Sequence, residues 1–368
     1  MDEQDSKEQQ HRCLCYLRAY RSMHMVTISG YGAYVPRYRI ERGAIADQHG
    51  APGGSGELAV PAHDESVLTL AAQASKTALD HADVAADSGG SGGGGSGTEG
   101  IDAIYTATTS DPFDERGLAA HVSRAAGAGT ETRASDYQGS ARAATNALLG
   151  ARDAIEAGRA ERVLMVASDI LDAPSGSAAE RSAGAGAGAL VLEVSGGADV
   201  ATLDGVGLST TGFVGRFKPA NGGPRRGDSR FDRERYIESA TEAVAGIEGD
   251  LAPQRAAMAA PDNGWGSRTL SALELDAEAE STFDAVGYAG AASALLDLAL
   301  AFESCEPGET VLVTGYGPGG ADAITMTTGE GVTEGPEMSV SEYIDSKEYV
   351  TYAKHRSYRE RASTGSVA

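Results

Sequence analysis

The sequence predicts a layered α/β fold built from two similar halves packed about a pseudo-twofold axis. Three observations carry this reading. Strand-like and helix-like segments alternate along the chain, they recur at a constant offset, and the recurring helices are rich in alanine and glycine. Residues 139–158 form a small-residue helix, followed by the apolar strand 162–168. Residues 287–306 form a second such helix, followed by the strand 310–316. The helices are offset by 287 − 139 = 148 residues, and Val163 and Val311 by the same 148. In that single register, without a gap, Ala141, Ala143, Ala144, Leu148, Ala151, Glu161, Val163 and Leu164 all meet identical residues. Helices this poor in bulk pack closely on each other or lie between two sheets.

The remaining elements follow in order. From Met25 the chain alternates like a strand and ends in glycine; residues 65–82 show helical spacing, with Val67, Leu68, Ala71, Ala74, Ala78 and Leu79 on one face. Residues 88–97 are serine and glycine only. No Lys-Ser/Thr follows them and they open no helix, so a flexible tether is expected there, not a phosphate loop. Residues 101–108 read as a strand, and 187–194 and 322–328 as the second strand of each repeat. These assignments divide the chain into a polar N-terminal extension at 1–24, expected to be disordered, a first half at 25–196 and a second at 197–368 with a helical tail.

Composition narrows the function. With 53 acidic and 30 basic residues the formal charge is −23, so nucleic acid and anionic membranes are repelled. Only five of the basic residues are lysine (Lys7, Lys76, Lys218, Lys347 and Lys354), a balance similar to that of proteins from salt-loving microbes. Cys13, Cys15 and Cys305 form neither a disulfide framework nor a metal set. No apolar run reaches the roughly 18–20 residues of a membrane span, and the first 24 residues lack an export core. A cytoplasmic protein is expected.

Several segments carry a resemblance. Residues 31–40 (Tyr-Gly-Ala-Tyr-Val-Pro-Arg-Tyr-Arg-Ile), Val166-Ala-Ser-Asp-Ile170, the glycine–alanine run 184–189, Tyr316-Gly-Pro-Gly319 and the segment from Tyr343 through Tyr352 to Arg356 resemble landmarks of archaeal-type 3-hydroxy-3-methylglutaryl-CoA synthases, in the same order. The resemblance spans residues 25–361. It implies the five-layered αβαβα thiolase fold, usually in a homodimer or a larger assembly. It also implies a reaction in which a cysteine takes an acetyl group, a glutamate removes an α-proton and a histidine holds the second thioester. Such a cysteine ionises at a helix start, the base needs a tunable pKa, and the developing oxyanion needs fixed N–H donors.

Residue by residue, those groups are replaced. Asp136-Tyr-Gln-Gly-Ser-Ala141-Arg-Ala-Ala-Thr145 has alanine where the family's cysteine stands. Thr108-Thr109-Ser110 has threonine at the glutamate, and Ala259-Ala-Pro-Asp-Asn-Gly264 has alanine at the histidine, with one extra residue in that turn. Tyr288 stands at an asparagine, and Pro318, which has no N–H, at an oxyanion contact. No cysteine occurs between Cys15 and Cys305, and no histidine between His121 and His355, so a modest shift of register restores neither. Ser140 is the one rescue candidate, set against the plainer role of a helix-start hydroxyl. Lys218, Arg225, Arg226 and Arg230, with Arg233 and Arg235, suit the phosphates of CoA or pair with Asp228, Asp232 and Glu234 on a solvated loop. Tyr343, Tyr349, Tyr352 and Tyr358 form either a docking face or packing on the chain's own core.

Three functional readings follow. The favoured one is a non-catalytic partner or scaffold subunit of a thiolase-type acyl-CoA assembly, in a homodimer or beside a thiolase and a small zinc-ribbon/OB-fold protein. The others are an active condensing acyltransferase, either the synthase or a serine-using variant, and an acyl-CoA sensor. All three take a CoA thioester as ligand and need no tightly bound cofactor.

Overall fold

Thirteen strands and the helices packed on them form two sheets in the computed structural model, which describes residues 25–83, 100–111, 113, 115–195, 199–219, 223–225 and 227–363. The N-terminal extension, the 88–97 tether and Arg226 lie outside the described residues. The first part of the chain supplies β1 (Val26–Tyr34), β2 (Tyr38–Glu41), β3 (Glu57–Val60), β4 (Ala103–Thr108), β5 (Arg133–Gln138), β6 (Arg162–Ile170) and β7 (Ala185–Val194). The second supplies β8 (Ala201–Thr210), β9 (Arg255–Met258), β10 (Glu278–Glu280), β11 (Thr310–Gly317), β12 (Gly320–Thr328) and β13 (Glu348–Tyr349).

The large sheet runs β10-β9-β11-β12-β8-β1-β7-β6-β4-β5, and it reads as a palindrome. In one half β4 pairs parallel with β5 and β6, β6 antiparallel with β7, and β7 antiparallel with β1. In the other, β9 pairs parallel with β10 and β11, β11 antiparallel with β12, and β12 antiparallel with β8. The two halves are joined by a short antiparallel contact, Thr27 opposite Thr202 and Ile28 opposite Ala201. A small sheet, β13-β2-β3, sits apart.

Four helices complete the layers: α1 (Val67–His81), α2 (Ala143–Glu156), α3 (Ser229–Ala245) and α4 (Ala292–Ser304). Helix α1 covers β1, β6 and β7 on one outer face, and α3 covers β8 and β12 on the other. Helices α2 and α4 lie between, and each touches strands of both halves. The order is therefore helix, sheet, helix pair, sheet, helix: the five-layered thiolase-type α/β fold. The central position explains the composition. Most side chains of α4 are buried, and its apolar residues lie on every face, whereas α1 is amphipathic. Bulk is excluded on the sheet side too: a Cβ on Gly188 of β7 lies 2.6 Å from the Leu295 Cβ of α4.

The observed helices begin later than their sequence spacing suggests. Ser66 caps α1, accepting from the Thr69 N–H at 3.3 Å while Thr69 Oγ1 accepts from the Ser66 N–H at 2.8 Å, so the helix starts at Val67. Residues 139–142 and 287–291 are turns with left-handed glycines (Gly139, φ 86°; Gly287, φ 85°), and only then do α2 and α4 begin. Those two turns carry the residues that matter below.

The tail packs on its own chain. Helix α5 (Tyr352–Ser363) buries Arg359, which donates to the carbonyls of Leu171, Ala59 and Ala183. Tyr343 is buried against Tyr34, the Tyr352 hydroxyl sits 2.9 Å from Glu180, and Tyr358 packs against Tyr38. The half-exposed Tyr349 donates to Glu57 at 2.7 Å. Tyr343, Tyr352 and Tyr358 thus serve intramolecular packing, while Tyr349 stays exposed. No helix among the described residues is long and apolar enough to cross a membrane.

Candidate active site

A cavity of about 330 Å³ opens where the turns before α2 and α4 meet the β11–β12 turn. It lies in the usual range for small-ligand sites, at the small end. Thr109, Ser140, Ala141, Lys218, Tyr288 and Pro318, distant in sequence, all line it. Ala259 does not: it is buried in the central core just beyond β9, and Pro261, two residues on, reaches the wall. The exposed Lys218 is at the mouth and, among the described residues, has no carboxylate partner. Arg225 is tied to Phe217 only through backbone hydrogen bonds, and Arg230 faces solvent paired with Glu234 at 3.2 Å. Neither of these two arginines lines the cavity.

Two buried carboxylates assemble the walls, and each reaches across the pseudo-twofold. Asp169, at the end of β6, accepts five hydrogen bonds. They come from Thr108 Oγ1 (2.9 Å), the Thr109 N–H (2.7 Å), Thr109 Oγ1 (3.1 Å), Ser110 Oγ (2.5 Å) and the Ala291 N–H at the start of α4 (2.6 Å). Burial pushes its pKa up, and these donors oppose that shift. Asp322 of β12 mirrors it. It takes a two-pronged contact from Arg142 at the start of α2 (3.2 and 2.5 Å) and a third from Thr145 at 2.7 Å. Arg142 also donates to Gly319 O at 3.1 Å. Each half therefore pins the first turn of the other half's central helix.

Close approach follows. A Cβ on Gly317 falls 2.4 Å from Ser140 Oγ and 2.9 Å from the Ala141 nitrogen, so only glycine lets the β11–β12 turn rest on α2. The Ser140 hydroxyl donates to Pro318 O at 3.1 Å and accepts from the Arg142 N–H at 3.3 Å. Its proton is directed at a carbonyl, and no imidazole or carboxylate receives it in these contacts. Thr109 likewise spends its hydroxyl on Asp169. Among the described residues no cysteine and no histidine line the cavity, and the acidic groups on its wall are Asp111 and Asp232. Cys305 lies beyond the end of α4, and burial pushes its thiol up to about 12. His355 is buried on α5. Among the described residues no cluster of His, Cys, Asp and Glu could hold a metal ion.

Sequence reading missed Asp169, Asp322, Arg142 and the cavity carboxylates. A charged residue inside the apolar run Val166-Ala-Ser-Asp-Ile170 was a visible signal for the first, since an ionisable group in a buried strand needs several donors.

A third buried carboxylate, Asp297 on α4, accepts from the Thr282 N–H and Oγ1, both at 2.7 Å, fixing the turn that leads through Phe283–Val286 to Tyr288. Burial pushes it up to about 7, from an ordinary 3.8. A raised carboxyl means that the folded state holds a proton the unfolded state has lost. This contribution to stability therefore declines as pH rises from about 4 to about 7. Asp297→Asn keeps the acceptor oxygen and removes the charge. The variant is expected to match the parent at about pH 4 or below and to exceed it at pH 8 by about 2 kcal/mol or more, measured by urea unfolding at both pH values.

No family model matches the chain. The hydroxymethylglutaryl-CoA synthase of Methanopyrus kandleri is 29% identical over 355 residues, covering 91% of this chain and 97% of that one. Among solved structures, an HMG-CoA synthase complexed with CoA superposes with a TM-score of 0.75 at 18% identity, covering 90% of this chain and 89% of that one. The HMG synthase of the curacin biosynthetic pathway, in complex with an acetyl donor-ACP, gives a TM-score of 0.78 at 16% identity, covering 94% and 90%.

Proposed function

Taking as premise that the chain belongs to the family of archaeal-type hydroxymethylglutaryl-CoA synthases, we propose that it binds a CoA thioester without condensing it, as a partner or scaffold subunit of an acyl-CoA assembly. One observation carries this reading: the cavity is formed and rigidly framed, yet alanine occupies the helix-start position and no thiol or imidazole reaches its wall. Acyl transfer needs a nucleophile that ionises near neutrality, and carbanion chemistry needs a base within reach of the proton. A hydroxyl hydrogen-bonded to a carbonyl is neither. Pro318 further removes an N–H from the edge where oxyanion charge develops in relatives. The Lys218 ammonium at the mouth, without a carboxylate partner among the described residues, offers a cation to an anionic ligand. A zinc-ribbon/OB-fold protein or a thiolase is the kind of partner such a subunit serves.

The test is direct. Purified protein in high salt, incubated with radiolabelled acetyl-CoA, is expected to carry no acid-stable label. It should also release no thiol from acetyl-CoA plus acetoacetyl-CoA, while calorimetry detects CoA binding. Stoichiometric labelling or turnover overturns the proposal. A second reading, an active condensing acyltransferase, is favoured by Asp111 and Asp232, since two carboxylates on the cavity wall meet the requirement for a base. It predicts turnover that Asp111→Asn abolishes.

A further inference from the structure

The cavity has a graded wall. Phe217 and Lys218 are exposed, Thr109, Ser140 and Pro318 are half-buried, and Ala141, Asp232, Tyr288, Gly290 and Tyr316 are buried. A ligand enters past the first set and stops at the last. Most of that deep end is small: Ala141 has a single methyl group and Gly290 has none. Two rings supply the bulk. Tyr316 is held in the second half's outer core, edge-on to Tyr236 at 4.9 Å, with Tyr236 in turn against Trp265 at 5.5 Å. Tyr288 faces the opposite side. It packs with Ala141, Leu171, Ala173, Ala183 and Phe283, all of them buried and apolar.

We infer that Tyr288 closes the deep end of the cavity and restricts its ligands to thioesters with short acyl groups. This rests on the thioester-binding reading above. The root of the ring is fixed, because its backbone is clamped to the first half: Tyr288 N donates to Ser182 O at 2.7 Å and Tyr288 O accepts from Gly184 N at 2.8 Å. The ring itself is held by the buried apolar side chains around it. Gly287 (φ 85°) sets the turn before it, and a Cβ on Gly184 would lie 2.4 Å from Val286 O, so strand and turn pack in direct backbone contact at the root of the ring. The side chains packed against the ring are apolar; charges border them at Arg42, stacked over the outer Phe283 at 4.1 Å, and at Arg359, which donates to the backbone carbonyls of Leu171 and Ala183. Removing the ring therefore extends the cavity into an environment that receives methylene groups, which is what a longer acyl chain presents. A wall that refuses a methylene discriminates by roughly tenfold or more per group.

The test is calorimetric titration of CoA, acetyl-CoA, butyryl-CoA and octanoyl-CoA into the parent, Tyr288→Ala, Tyr288→Leu and Tyr288→Phe. The parent is expected to bind octanoyl-CoA at least tenfold more weakly than acetyl-CoA. Tyr288→Ala should raise the octanoyl-to-acetyl affinity ratio at least tenfold, Tyr288→Leu by less, and Tyr288→Phe should leave that ratio as in the parent, because the ring and not its hydroxyl forms the wall. Tyr288→Leu keeps apolar packing and serves if the alanine variant does not fold. A parent that binds CoA with no preference for chain length, or a ratio unmoved by both truncations, overturns the role of Tyr288 alone. A parent that binds no CoA at all overturns the thioester-binding reading and this inference together.

Discussion

Asp169→Ala is expected to destabilise the protein by about 4 kcal/mol or more. The carboxylate accepts three hydroxyl and two backbone N–H donors at 2.5–3.1 Å, and alanine leaves all five without that acceptor in a site closed to water. A buried donor stripped of its partner costs about 1–3 kcal/mol, and partial relaxation of the three hydroxyl rotors offsets part of the sum. The loss is read as a fall in the urea midpoint at unchanged slope. Local consequences follow from what the donors belong to. The Thr108–Ser110 turn and the entry to α4 are both cavity walls, so a refolded variant should also lose CoA binding. Asp169→Asn is the informative companion, since it keeps one oxygen and should cost less. A loss below 1 kcal/mol for Asp169→Ala contradicts the assignment of this group as the hub of the wall.

The second large effect belongs to Arg142 and Asp322. Removing either partner alone leaves an uncompensated charge in the interior, an expected cost of about 3–5 kcal/mol. Asp322→Ala also deprives the Thr145 hydroxyl of its 2.7 Å acceptor. Replacing both with apolar side chains of similar volume, Arg142→Met with Asp322→Leu, is expected to cost less than either single substitution, because burying two ions is itself expensive. A double-mutant cycle in urea measures the difference. Additive single effects mean that the two groups do not act as a pair.

Much of the architecture was legible in the sequence because it is repeated. A constant 148-residue offset with identical alanines marks two equivalent helices, and their lack of bulk marks the central layer where they lie. The palindromic sheet order follows from that duplication. Short or exposed elements left weaker signals. Strand β5 reads Arg-Ala-Ser-Asp-Tyr-Gln, mostly exposed at the sheet edge, and shows no apolar alternation. Helix α3 is so highly charged that its apolar stripe is faint, and only Tyr236, Ala240, Ala243 and Val244 reveal the buried face. At the site, motif positions were readable where the backbone register is fixed by glycine turns, which is why Ala141, Thr109, Tyr288 and Pro318 share one cavity. Ala259 follows a four-residue strand and precedes a turn of altered length, and there the position at the wall is Pro261. Among the basic residues the sequence did not separate Lys218, which lines the cavity, from Arg230, which pairs with Glu234 one turn away. The paired carboxylate clamps were invisible because their partners are 177 and 180 residues apart on Asp322, and 122 from Asp169 to Ala291.

The strand contact that unites the halves, two residue pairs at Thr27–Thr202 and Ile28–Ala201, is too brief to hold them by backbone bonds. Cohesion instead comes from the central core around the helices shared between the halves, so neither half completes its inner face alone. During synthesis the leading half must therefore wait, with greasy surface uncovered, until nearly the whole polypeptide has left the ribosome. Such a chain matures as one late, cooperative event, not as two modules assembled in turn.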